Sequence, residues 1–421
     1  MNRIKLESIA VSGNTIEYLY TIVGEWKKYF HLDKTMKIKY GIEIASVPES
    51  ILAIPFICNI LPIVWLCDAE LIVNEIDKDF YDNMPLIKKG YEQMYPMLKF
   101  AGSVVIAEKI ELNQVQNQDK CAAFFSGGVD AYTTLFRHLS DNPCLITLWG
   151  ADISLSDEKG WNKVIEHTKK VAGYFNLDYT VVKTNFREVI DERSLNKLVK
   201  DSGDEWWHGF QCGIGMISHS APIAYIKELR TVYIASSFPE KMKGKYTCAS
   251  DPIIDNHVKY CGCTTVHDGY EMDRQGKIHF LVRKRAEGFP IVLRVCWKEP
   301  GGGNCCRCEK CYRTILEIVA EGDDPNQYGF VWDDEAIRAC KKDMKYKIVI
   351  ASTKIEQFYI PLPEIMKSNR EKIHDYEKYK WLMEMNFSKF NNMPVKVVRS
   401  SLPVKVVKKV CRIVYRGIVR K

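Results

Sequence analysis

Residues Phe124–Ala131 read FFSGGVDA. The apolar run Cys121–Phe125 on one side predicts a strand, and Ala131–Leu139 on the other predicts a helix. Between them, Gly127 and Gly128 let the backbone turn tightly and expose successive N–H groups, with the positive end of the helix dipole behind them. An anion fits such a turn. Ser126 can donate its hydroxyl to a phosphate oxygen, Val129 sits at the helix entry, and Asp130 can hold Mg²⁺ or cap the helix. A plain Ser-Gly-Gly turn with an aspartate cap satisfies the same residues.

Strand and helix signals continue to alternate outward from this turn. Leu145–Trp149, Tyr179–Val182 and Val232–Ala235 predict strands. Lys159–Phe175 and Phe210–Leu229 predict helices, the second bent at Pro222. The alternation predicts an α/β fold, a Rossmann-like parallel sheet covered by helices, over residues 119–295. Ser236 and Ser237 follow the last of these strands, where strand ends face the ligand crevice of such sheets.

Residues 1–118 are expected to form a separate N-terminal α+β unit. Within it, Ile51–Cys67 carries no formal charge and is read as buried core, with Pro55, Asn59 and Pro62 breaking any helix. Asp79–Lys99 is expected to be helical with breaks at Pro85 and Pro96. Val104–Leu112 predicts a strand, and the polar run Asn113–Lys120 a linker. Residues 323–395 give mixed helical signals.

The second chemical signal is VCWKEPGGGNCCRCEKCYRT, Val295–Thr314. Cys296, Cys305, Cys308 and Cys311 follow the spacing C-x8-C-x2-C-x2-C, which suits four thiolates around Zn²⁺ at about 2.3 Å. An iron–sulfur cluster can use the same ligands. Four thiolates leave no open position, so the zinc element, residues 296–322, is expected to brace the fold. Cys306 is expected to point away.

The chain has 421 residues, 46% of them hydrophobic and 27% charged, as in a soluble globular protein. The formal net charge is +7, but nine Lys/Arg and no carboxylate lie between Lys396 and Lys421; removing those nine leaves −2. A general nucleic-acid surface is not indicated. The tail, residues 396–421, has apolar Val404, Val407, Cys411, Val414 and Ile418 at helical spacing. A cationic helix of this kind can lie on an anionic membrane surface, dock on the body or bind nucleic acid. Fifteen cysteines fall short of a disulfide scaffold, and Met1–Gly13 lacks a secretory apolar run. A reducing cytoplasmic setting is therefore expected, with the tail offering contact with the inner membrane surface.

The pyrophosphate-type turn resembles the SGGxDS loop of the N-type ATP pyrophosphatases (PP-loop proteins), with Ala131 in place of the usual Ser or Thr. Together with the cysteine spacing about 170 residues later, the chain from Cys121 to Glu321 resembles the 7-cyano-7-deazaguanine synthase family. It also resembles a looser set of synthase-like proteins, through Trp207–Phe210 and Cys308–Thr314. The resemblance implies a PP-loop (HUP-type) fold and an ATP-dependent, AMP- and pyrophosphate-forming ligase. It would adenylate a small-molecule carboxylate for attack by ammonia or an amine. It implies ATP over Ser126, Gly127, Gly128, Val129 and Asp130, with Mg²⁺ and Zn²⁺ as further cofactors. The base-binding residues of the family do not transfer, so a different substrate is expected. A non-catalytic nucleotide-binding scaffold and a tRNA-modifying enzyme are the competing readings.

Weaker candidates lie in the same half. Trp206 and Trp207 could sandwich a planar ring with His208 as acid or base, or they could anchor a helix start. Asp251, Asp255 and Asp268, the last beside His267, offer carboxylates or turn caps. Cys248, Cys261 and Cys263 lack a paired C-x2-C spacing and are read as core. Arg313 and Thr314 could reach a phosphate or sit apart from it.

Overall fold

The structure, a computed structural model, describes residues 2–115, 119–296, 302–346, 355–385 and 387. Ten strands share one sheet: β1 (Arg3–Ser12), β2 (Thr15–Val23), β3 (Lys37–Tyr40), β4 (Glu70–Asp77), β5 (Ser103–Glu111), β6 (Cys121–Phe124), β7 (Cys144–Trp149), β8 (Tyr179–Thr184), β9 (Thr231–Ala235) and β10 (Thr264–Asp268). Their order is β10-β9-β6-β7-β8-β3-β2-β1-β4-β5. From β10 to β8 every pair is parallel. The expected α/β fold with a mostly parallel sheet is what forms. All four side chains of β6 (CAAF) are buried, as suits a strand covered on both faces.

The chain runs β6, β7, β8 in one direction across the sheet and returns to place β9 on the other flank of β6. The order therefore reverses between β6 and β9, and ligand crevices open at such switch points, beyond the strand C-termini. The Ser126 turn follows β6 and Ser236–Ser237 follow β9.

The N-terminal segment is not separate. β3 pairs antiparallel with β8, Tyr40 opposite Val182, and carries β2, β1, β4 and β5 onto the same sheet. One core runs from Ile4, Tyr18 and Trp26 through Phe56 to Phe186, Phe210 and Ile254. Its centre is the helix Ile54–Leu66, buried on nearly every side, so the core reading of Ile51–Cys67 stands. The expected breaks there do not occur. Pro55 falls in the first turn, where no N–H is needed, and Pro62 is held inside the helix by packing all round. Asn59 donates to the Pro55 carbonyl (2.8 Å) and accepts from Gln211 (3.0 Å), which explains a polar residue at this depth. Pro85 likewise lies inside the helix Lys78–Met94, which stops just before Pro96 as expected. Among the described residues no helix is long and apolar enough to cross a membrane.

The expected helix over Phe210–Leu229 is built in pieces: a π-helical turn Trp207–Gln211, an α-helix Cys212–Ile217, a 3₁₀ turn Ser218–Ser220 and an α-helix Ala221–Lys227. The break precedes Pro222, which sits in the first turn of the last piece. A second core packs Phe125, Val129 and Leu135 beneath the helix Glu309–Ala320 and the C-terminal residues Trp332, Leu362 and Trp381. Residues 323–385 are largely helical where described. The basic tail 396–421 lies outside the described residues.

Candidate functional site

Phe124 leads directly into the turn, and Gly128 forms the cap of the helix Val129–Arg137. Gly127 has φ +76°, and a Cβ there would lie 2.8 Å from the His167 ring. Only glycine fits on both counts. His167 in turn meets the Tyr132 hydroxyl at 3.3 Å. Burial, reinforced by Arg294, holds this imidazole down at about 4, so it backs the turn as a neutral ring. On the other side Arg294 donates to the Ser126 carbonyl (3.1 Å), while its backbone N–H donates to Gly127 O (2.7 Å). The turn is clamped from two elements and Ser126 stays exposed.

Asp130 points from the first helical turn towards the helix Arg274–Ala286. Its Oδ1 accepts from Lys277 (3.1 Å) and its Oδ2 from Arg274 (3.2 Å). Burial pushes this carboxyl up, but Lys277 and Arg274 outweigh it and hold it below the usual range. Arg274 also bonds Glu317 (3.1 Å) and Thr314 (3.0 Å), and Lys277 donates to the Ser236 carbonyl. With two cations on its two oxygens, Asp130 does not fit the expected Mg²⁺ site, because a dication would face both. It positions Arg274 and Lys277 instead.

These groups border a cleft of about 730 Å³ at the switch point. Of the sequence candidates, Ser126, Gly128, Val129, Asp130, Ser237 and Cys296 line it, as does Ala131. Arg274, Arg294 and Lys310 bring positive charge to its wall, and Asp152 lies at its rim. The Lys310 ammonium has no hydrogen bond or ion pair among the described residues. Burial pulls its pKa down. Arg274, Lys277, Arg294 and Lys310 bring positive charge beside Asp130 and Glu317, with Asp152 acting on Arg294 and Lys310.

The four-cysteine expectation is met in geometry. The sulfurs of Cys296, Cys305, Cys308 and Cys311 all lie within 4.8 Å of one another. Two opposite edges measure 3.8 Å (Cys296–Cys308) and 3.9 Å (Cys305–Cys311). A tetrahedron with metal–sulfur bonds of about 2.3 Å has edges of about 3.8 Å, so the set fits zinc. Cys308 caps the helix Glu309–Ala320 and Cys311 lies in its first turn. Asn304 ties the two arms together, accepting from Val295 N (3.0 Å) and Cys296 N (3.3 Å) and donating to Leu293 O (2.7 Å). Cys306 turns away as expected: at φ +53° its sulfur accepts from Val331 N at 3.2 Å. Lys310, between two ligands of the knuckle, projects to the cleft.

Other candidates sit elsewhere. Ser236 is fully buried, its hydroxyl donating to Phe238 O at 2.6 Å. Trp206 is buried on Phe210 with its N–H on Gln211 (3.1 Å), an anchored helix start. His208 does not line the cleft; the π-helical turn aims its ring at Asp204, 2.8 Å away. Asp251 caps the helix Pro252–Asp255, Asp255 pairs with His267 (2.8 Å), and Asp268 pairs with Arg137 and His138. Arg313 stacks on Phe358 at 3.9 Å, away from the cleft, whereas Thr314 supports Arg274. The described cysteines are all free of disulfides.

Sequence reasoning missed Arg274, Lys277, Arg294 and Lys310. Lys310 stood inside the quoted knuckle and Arg294 two residues before it. The signal for Arg274 and Lys277 was Asp273, whose carboxylate accepts from Gly276 N (2.8 Å) to start their helix. Comparison of the chain with known protein families, curated proteins and solved structures finds no match.

Proposed function

We propose that the cleft binds the triphosphate of ATP, and that the protein is an AMP- and pyrophosphate-forming enzyme activating a carboxylate for attack by ammonia or an amine. The observation that carries this reading is an anion cradle at the strand-order reversal: the turn at Ser126–Val129, bordered by Arg294, Arg274 and Lys310, whose ammonium has no hydrogen bond or ion pair among the described residues. Backbone N–H groups at a helix start hold phosphate oxygens, and the surrounding cations meet the charge that develops as pyrophosphate leaves. Ser126 would donate its hydroxyl to the same group, and Asp130 would hold Arg274 and Lys277 in place. A carboxylate becomes a competent electrophile once its oxygen is part of a phosphoryl leaving group. The cleft is large enough for both a nucleotide and a small acid. The four-thiolate metal would stay outside the chemistry, fixing the helix that carries Lys310. No step is assigned to protein-held Mg²⁺. This is the reading that the resemblance to PP-loop ligases implies.

Ala131 favours one alternative. It is buried at the cleft wall and offers no hydroxyl, so a nucleotide-binding scaffold would bind ATP without cleaving it. The two readings separate in one experiment. Purified protein is incubated with α-labelled ATP and small-metabolite carboxylates from cell extract, and products are resolved for wild type and Lys310→Gln. Labelled AMP with equimolar pyrophosphate, lost in the variant, supports the ligase. Tight ATP binding without AMP supports the scaffold, and ADP as the product contradicts both.

A further inference from the structure

A second cluster of reactive groups lies outside the cleft lining. Asp204, His208, Cys248 and Cys212 form a connected chain. Asp204 Oδ1 takes His208 Nδ1 at 2.8 Å, and its Oδ2 is held by Tyr95 OH (3.0 Å) and Thr247 Oγ1 (2.9 Å). The His208 side chain and Cys248 also act on each other electrostatically. The Cys248 sulfur lies 3.8 Å from the Cys212 sulfur, which contacts the His208 carbonyl at 3.4 Å. The π-helical turn Trp207–Gln211 produces this arrangement, placing His208 and Cys212 on one side. Single π turns of this kind are frequent at functional sites. A second thiol in contact, a base nearby and a third group orienting the base make an arrangement that can activate a thiol.

We propose that Cys248 and Cys212 form a dithiol that reduces hydroperoxides, with Cys248 as the attacking sulfur, His208 and Asp204 as its activating pair and Cys212 as the resolving thiol. In the first step the Cys248 sulfur attacks one peroxide oxygen and the O–O bond breaks. His208 supplies a proton to the departing oxygen, giving water or an alcohol and a Cys248 sulfenic acid. In the second step the Cys212 sulfur attacks Cys248, the S–O bond breaks and water leaves with the Cys212 proton. The two thiols lose two electrons and the hydroperoxide gains them. Closing 3.8 Å to the disulfide length of about 2.05 Å takes side-chain rotation.

Electrostatics agree with this assignment. Cys212 and His208 outweigh burial and hold Cys248 down at about 5, and His208 is raised to about 10, first by Asp204. Asp255 adds negative charge near the pair and opposes the shift. By contrast, burial pushes up Cys58, Cys121, Cys144, Cys261, Cys263 and Cys340. Both sulfurs of the pair are nearly buried. Cys248 lines a cavity of about 10 Å³ beside Phe238 and Tyr246, which rules out a bulky substrate in the closed form. His208, with 45% of its side chain exposed, connects the pair to solvent protons.

The test uses the full-length, metal-replete, reduced protein. It is treated with one equivalent of hydrogen peroxide, blocked with N-ethylmaleimide and mapped by peptide mass spectrometry. The expected product is a Cys212–Cys248 cross-linked peptide with the Cys296–Cys311 peptide unchanged. Cys212→Ser should trap a Cys248 sulfenic acid that a dimedone probe labels, and His208→Gln should slow cross-linking at least tenfold. Both thiols still alkylated after peroxide, or cross-linking equally fast in His208→Gln, would overturn the proposal. The wild-type map decides the matter even where a variant fails to fold.

Discussion

The thiolate knuckle and the glycine turn border one cleft, yet they are held by opposite means. The knuckle takes all four sulfurs from Cys296–Cys311, stitched by Asn304 within the same segment, and its site is closed. The turn has a backbone cradle of its own but borrows its charge: Arg274 and Lys277 arrive on one helix, Arg294 on the approach to Cys296, and Lys310 from the knuckle itself. A closed site spends its ligands on one metal and stabilises the fold. The open one leaves the Lys310 ammonium short of a partner among the described residues, and a ligand would complete its balance. The two meet at Lys310, which makes the knuckle's order a condition for the cleft's charge.

Breaking the knuckle should have the largest effect. Cys308→Ser is expected to lose the metal, measured by elemental analysis. Removing a structural metal coupled to folding should destabilise the second core by on the order of 5 kcal/mol, read as a drop in thermal midpoint. Retained zinc in that variant would dissolve the contrast. Next, Gly127→Ala places a side chain at φ +76° against His167. It should cost about 2–3 kcal/mol and abolish nucleotide binding while zinc remains bound.

Lys310→Gln sharpens the comparison because it touches the cleft from within the knuckle. Losing one charge-assisted phosphate contact of about 1.5–3 kcal/mol should weaken ATP binding roughly 10- to 100-fold, with metal content unchanged, as isothermal calorimetry and elemental analysis would report. Asp130→Asn should cost about 1–2 kcal/mol, and its pH dependence has a defined sign. The Asp130 carboxyl is held below its ordinary 3.8 in the fold. Its contribution is therefore complete above that value and lost as the pH falls through the depressed one. The stability gap between wild type and Asp130→Asn should narrow on acidification and stay flat towards neutrality. The smallest effect should be that of Cys306→Ala, which removes only the acceptor of Val331 N: about 1 kcal/mol of stability and no change in zinc.

Legibility followed the range of the interactions. β6 to β9, the Ser126 turn and the four ligands were all readable, because each is written in neighbouring residues: an apolar run, two glycines, a fixed spacing. Proline rules misled at Pro62 and Pro85, where a core packed on all sides of the helix outweighs one missing backbone bond. The antiparallel β3–β8 pairing, which binds the N-terminal strands to the central sheet, joins residues far apart in the chain and left no local mark. Arg274 and Lys277 were invisible as partners of Asp130 for the same reason. His208 was singled out for its neighbours, but a single π turn decides its aim, and that depends on Asp204 and Tyr95 rather than on the Trp-Trp-His run.

A crystal structure of the protein with α,β-methylene-ATP would show whether the Ser126 turn holds a triphosphate. Phosphate oxygens should lie within hydrogen-bond distance of the N–H groups at Ser126–Val129, with the Lys310 ammonium on the same triphosphate. An analogue bound elsewhere, or a turn whose N–H groups stay unused while ATP is held, would contradict that placement.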